Sequence, residues 1–205
     1  MNLQKSILLS MALAILIAPA GCIFSPDDDD PSDGPPPAAG LPFPGSKDQL
    51  IANFRQIYED MDALEYKDVI HRDYKTKLQA STVEEFGLPV AFFTYEDEVR
   101  IHQRMFSGDA LTDPDGNAVP GVTSVEFSQF VQQDAWAVAP PNDPDFPNAE
   151  WAIFNSEFQF TRTGYTTLVV RGPIKVYVTS RDSLHEGSSR PYYQMIGQVD
   201  LTDSN

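Results

Sequence analysis

SKDQLIANFRQIYEDMDALEYKDVIHRDYKTKLQ, residues 46–79, carries the periodicities from which the domain is read. Leu50, Phe54, Ile57, Tyr58 and Met61 recur at steps of three and four, which sets them on one face of a helix. Ser46 followed by Gln49 is a capping-box pattern: the hydroxyl can accept a free N–H of the first turn, and the amide can reach back to the cap. Asp62 followed by Glu65 repeats it. The first helix is therefore expected to end near Asp62, with a second, shorter one running through Tyr66 to Ile70. Beyond His71-Arg72-Asp73 the period falls to two. Tyr74, Thr76 and Leu78 alternate with Lys75, Lys77 and Gln79, the pattern of a half-buried strand.

Downstream, Thr94 with Asp97 can cap a further helix, with Val99, His102, Met105 and Phe106 on its apolar face and Gly108 at its end. The remainder reads as strands. Residues 124–131 broadly alternate. In residues 152–160, Ala152, Phe154, Ser156, Phe158 and Phe160 share one face, opposite Ile153, Asn155, Glu157 and Gln159. Residues 167–179 are rich in β-branched side chains, and Gly172-Pro173 within them is expected to mark a bulge or sharp bend. Thr163-Gly164 reads as a turn, residues 182–190 as a longer loop and residues 192–201 as the last strand. Helices first and strands after give an α+β class, with the N-terminal helices packed on an antiparallel sheet.

The N-terminus has a targeting pattern. Lys5 precedes an apolar run from Ile7 to Ile17, and small residues follow before Cys22. That run is short for a membrane-spanning helix. Ala20-Gly21-Cys22 resembles the lipobox of bacterial lipoproteins, although Pro19 stands where Leu is usual. The resemblance implies a signal peptide over residues 1–21, removed before a Cys22 that carries diacylglycerol and an amide-linked fatty acid such as palmitate. The protein would then sit in the bacterial cell envelope, anchored outside the cytoplasmic membrane, or in the outer membrane of a Gram-negative source. Cys22 is the chain's single cysteine, so neither an intrachain disulfide nor a cysteine metal site is available. Residues 22–45 are rich in Pro, Gly and Asp and carry no helical or strand period, which reads as a disordered tether to a domain over residues 46–205.

With 14 Lys and Arg against 30 Asp and Glu, the net charge is −16. That argues against nucleic acid, whose phosphates require basic patches, and against a docking face for anionic lipid. The membrane is therefore expected to be a partner through lipidated Cys22.

A resemblance sharpens the fold. Asn53-Phe54, Tyr58, Asp62, Tyr66, Val69-Ile70 and His71-Arg72-Asp73-Tyr74 together resemble the opening of the NTF2-like superfamily, which includes SnoaL and ketosteroid-isomerase relatives. The stretch from Glu96 to Gly108, ending Met105-Phe106-Ser107-Gly108, is similar to a group of bacterial envelope proteins within it. The resemblance implies an NTF2-like cone, with helices closing the mouth of a curved antiparallel sheet. It also implies a pocket there, for which Phe54, Tyr58, His102, Trp136 and Phe158 are the candidate lining. Homodimers through the open sheet face are frequent among such domains. In ketosteroid isomerases a Tyr of the first helix and an Asp of the next strand move the proton. An ungapped count from Asp62 sets these positions on Phe54 and Leu78, which can do neither task.

Other candidate chemistry competes with structural roles. His71 or His102 with Asp62 could act as acid and base. Asp62, however, fits a helix cap, His71 a helix C-terminus and His102 the core. Asp113-Pro114-Asp115-Gly116-Asn117 resembles the start of a calcium loop, but its twelfth position is Ser124 rather than Glu. It reads as a turn, as does Asp143-Pro144-Asp145. No catalytic residue, cofactor or metal is assigned. The expected function is non-catalytic binding of a small apolar ligand or a protein partner. An isomerase-type enzyme using a His–Asp pair and a purely structural envelope protein are the alternatives.

Overall fold

The computed structural model describes residues 40–86, 88–112 and 116–201. Cys22, the signal segment, most of the tether, Asp113 and Asp115 lie outside them.

The opening follows the capping chemistry. Helix α1 (Lys47–Asp60) starts on Ser46, whose side chain accepts from the Gln49 N–H; Gln49's amide bonds Asn53 instead of closing the box. Met61 in the left-handed conformation (φ 53°) ends the helix, and Asp62 N–H returns to the Ile57 carbonyl. Asp62 then caps α2 (Ala63–Val69) by accepting from Leu64 and Glu65. Strand β1 (Ile70–Lys77) follows at once, beginning earlier than the alternation implied and placing His71 on the strand rather than at a helix end. A short helix α3 (Ala80–Phe86) and strand β2 (Phe92–Thr94) precede α4 (Tyr95–Phe106). Helix α4 has the full reciprocal box between Thr94 and Asp97, and Gly108 (φ 70°) follows its end.

The strands after α4 are β3 (Leu111–Thr112), β4 (Ala118–Val119), β5 (Val122–Gln132), β6 (Ala137–Val138), β7 (Glu150–Arg162), β8 (Leu168–His185) and β9 (Ser188–Asp200). The main sheet runs β2-β1-β9-β8-β7-β5, with β6 also on β7. Its pairs are antiparallel except β1 with β9, which is parallel, so the sheet is mixed. The class is α+β, with the N-terminal helices packed on one face of the sheet.

Two strand-level expectations are corrected. Gly172 and Pro173 pair in unbroken register with Ser156 and Asn155. Proline is tolerated there because its missing N–H faces the β9 side, where the ladder ends at Asp200 and Leu201 N–H reaches the Pro173 carbonyl. Residues 182–190 are not a loop. They form the end of a two-stranded ribbon closed by Glu186-Gly187, both at positive φ (49° and 76°), the conformation of a tight hairpin turn.

One face of the sheet meets the helices. Leu50, Phe54, Ile57 and Tyr58 enter the same core as Phe154 and Phe160. The ring contacts run through β5: Phe54 meets Phe127 and Phe130, and these meet Phe158 and Phe154. The opposite face carries a smaller core. Phe146, from the Pro-rich loop before β7, stacks on Tyr177 at 4.2 Å and lies over Gly197, where a Cβ would come within 2.1 Å of its ring. Asp143 holds this loop by accepting from the N–H groups of Asp145 and Phe146, so it makes the turn expected.

Residues 40–45, assigned to the tether by composition, pack on the domain. Asn53 donates to the Pro42 carbonyl at 2.7 Å, Tyr193 N–H bonds Pro44 at 3.0 Å, and Phe43 stacks on His185 at 4.1 Å.

Candidate functional site

Two regions hold the groups from which a site could be built. The first is a polar network inside the core. Helix α4 projects Glu98 and His102 inward from one face, four residues apart; α1 supplies Tyr58, α2 Tyr66, and β1 Tyr74 and Thr76. All six are buried. The Tyr58 hydroxyl lies 2.5 Å from His102 Nε2, and His102 Nδ1 lies 2.8 Å from the backbone carbonyl of Glu98. A carbonyl only accepts, so the proton sits on Nδ1 and Tyr58 donates to Nε2. Tyr66 donates to Glu98 Oε2 at 3.2 Å and Thr76 donates to Oε1. The Tyr74 hydroxyl is buried without a hydrogen bond.

Burial dominates the electrostatics. It pushes the Glu98 carboxyl up to about 7, against the bonds from Thr76 and Tyr66, which favour the charged form. It pushes His102 down to about 4, so the imidazole is neutral at physiological pH. Tyr58, Tyr66 and Tyr74 are raised by burial and by the neighbouring Glu98. A carboxyl near 7 beside a neutral His and a Tyr is chemically able to exchange protons. Its atoms are walled by rings: Tyr66 stacks on His102 at 3.8 Å, and Phe106 meets both His102 and Tyr58 edge-on.

The second region is an open groove of about 270 Å³. Residues 41–44 form one wall, Asn53 and Ile57 of α1 lie at the back, and Glu65, Asp68 and Val69 of α2 form the other side. His185 and Tyr192 of the ribbon complete it. Tyr192 Oη and Gln194 Nε2 both donate to the Asp68 carbonyl, tying α2 to the ribbon.

The candidate pocket residues separate accordingly. Phe54, Tyr58 and His102 are buried, and Trp136 and Phe158 are partly buried against the same core. Trp136 meets Phe154 and lies under Lys47, whose ammonium bonds Glu150 at 2.5 Å. None of the five lines the groove. Asp62 serves as a cap and His71 Nδ1 accepts from the Asp73 N–H at 3.1 Å on β1, so Asp62 and His71 have separate structural tasks. Leu78, just past β1, packs with Phe93 and Ile101. Glu98 is the residue that sequence reasoning missed. It sits in the acidic first turn of α4, where a solvated carboxylate is the ordinary reading, yet it is four residues from His102 and three from Tyr95 on the buried face. Among the described residues no His, Cys, Asp and Glu group has metal-binding geometry.

No protein-family model matches the sequence, and no curated protein does. Solved structures do. One is a conserved protein from Planctomyces limnophilus DSM 3776 (TM-score 0.48, 8% identity, covering 74% of this chain and 89% of that one). Another is an NTF2-like protein of unknown function in nutrient uptake from Rhodospirillum rubrum ATCC 11170 (TM-score 0.40, 7% identity, 74% and 93%). A third is the beta subunit of benzoate 1,2-dioxygenase from Burkholderia mallei ATCC 23344 (TM-score 0.42, 11% identity, 75% and 85%). Likenesses at this level carry no argument about activity.

Proposed function

We propose that this chain is a lipid-anchored envelope protein, held at Cys22, whose NTF2-like domain binds a small ligand or a protein partner without catalysis. The observation that carries the non-catalytic reading is the sealing of Glu98, His102 and Tyr58 in the core, away from the open groove. A general base must come within about 3 Å of the proton it takes, directly or through one water. Anchoring rests on the Ala20-Gly21-Cys22 pattern.

Two experiments test this. Cys22→Ser is expected to release the protein from membranes while the domain stays folded; unchanged membrane partitioning overturns the anchor. The full chain, incubated with a panel of enolisable ketones and lactones, is expected to show no turnover. The isomerase-type reading has one observation in its favour, the Glu98 carboxyl, held near neutrality with its Oε2 3.3 Å from His102 Nδ1. Turnover abolished by Glu98→Gln would establish it.

A further inference from the structure

The groove differs from the rest of the domain in how its charge is arranged. Its inner side is apolar, made by Leu41, Ile57 and Val69, and Phe43 and Tyr192 add ring surface. The charged side chains in its lining are Glu65 and Asp68; neither Lys nor Arg lines it. Burial raises the Glu65 carboxyl, and the nearby carboxylates of Asp62 and Asp68 raise it further. A partly desolvated carboxylate crowded by like charges gains from any cation brought beside it. Arg181 of the ribbon lies over the Tyr192 ring at 5.4 Å. The chain's net charge of −16 adds a long-range pull on cations and repels carboxylates and phosphates. The same repulsion disfavours the chain's own acidic segment, residues 27–30, as occupant.

We propose that the groove between residues 41–44 and helix α2 binds a small amphiphilic cation, its apolar body against Leu41, Ile57 and Val69 and its ammonium head beside Glu65 and Asp68. This deepens the binding reading above and rests on it. The groove's volume, just below the usual range for ligand sites, suits a compact molecule. The polar task is simple. Two carboxylates on one helix, three residues apart, are in the lining, both lie near enough to the Tyr192 phenol to add to the rise that burial causes, and the aromatic walls tolerate a cation against their faces.

The test uses four probes sharing one hexyl chain: hexylammonium, hexyltrimethylammonium, hexanol and hexanoate. Each is titrated into the full chain while the methyl resonances of Leu41, Ile57 and Val69 are followed. Both cations are expected to shift these methyls, hexanol to bind at least about tenfold more weakly, and hexanoate weakest. The double variant Glu65→Gln, Asp68→Asn is expected to weaken the cations by about tenfold or more and leave hexanol unchanged. Molar NaCl should act in the same direction on the parent, which serves if the variant misfolds. Hexanol binding as tightly as the cations overturns the cation preference and leaves an apolar binding site. No shift of these methyls with any probe overturns the groove as a site. Neither result bears on the non-catalytic reading, which the ketone and lactone panel decides.

Discussion

The core network and the open groove each place a histidine among carboxyl and phenol groups, yet they are opposite environments. Around His102 every neighbour is buried, and hydrogen bonds fix one neutral tautomer. Around His185 the ring stacks on Phe43 at the edge of a cavity open to water. The groups best suited to moving protons are buried, and the groups that line the open groove offer charge and shape. Access, and not residue type, separates a site from a core.

The largest expected effect breaks or confirms this contrast directly. His102→Ala leaves a cavity and an unpaired buried Tyr58 hydroxyl, and is expected to cost about 3–4 kcal/mol in denaturant unfolding. His185→Ala removes an exposed stack and should cost about 1 kcal/mol or less. Equal losses would erase the distinction.

The pH dependence of the network sharpens it. Glu98 is raised from 4.5 to about 7, so the folded state holds its proton more tightly and its contribution to stability falls as pH climbs through that window. His102 is lowered from 6.5 to about 4, so its contribution rises over its own window. In the parent the two slopes oppose each other and nearly cancel from about pH 4.5 to 6.5. Glu98→Gln is expected to expose the rising slope and His102→Gln the falling one, each worth about 3 kcal/mol across its window. Variants with slopes of the same sign would contradict the assignment.

Smaller effects concern the groove. Phe43→Ala loosens the wall made by residues 41–44 and is expected to cost about 1 kcal/mol, with a change in probe binding. Glu186→Asn relieves the positive φ at the ribbon turn, next to His185 but at a residue outside the groove lining. It should stabilise the protein by about 0.5 kcal/mol, read as a rise in the unfolding midpoint.

How far the sequence revealed each region follows the same divide. Caps and periodicities are local, so α1, α2, α4 and the inward face of β7 were legible from Ser46, Asp62, Thr94 and the row from Ala152 to Phe160. The features that shape the groove are not local. Residues 41–44 have no period because they dock by single contacts through Pro42, Phe43 and Pro44. The ribbon of residues 179–194 is largely solvent-exposed toward its tip, so no apolar alternation marks it and Asp182–Arg190 reads as loop. Helix α3 is too short to show an amphipathic period. The parallel pairing of β1 with β9 joins strands more than a hundred residues apart. Glu98 was hidden by its place in an acidic first turn and became legible only once Tyr58, Tyr66 and Thr76 were seen around it.

The central claim, that the acid–base groups are sealed in the core, is tested most directly by NMR titration of the His102 ring. A ring buried against Tyr66 and bonded to Tyr58 is expected to stay neutral with a midpoint near 4. A midpoint at or above 6.5, the value of a histidine in water, would show that the cluster is open to solvent and contradict the account.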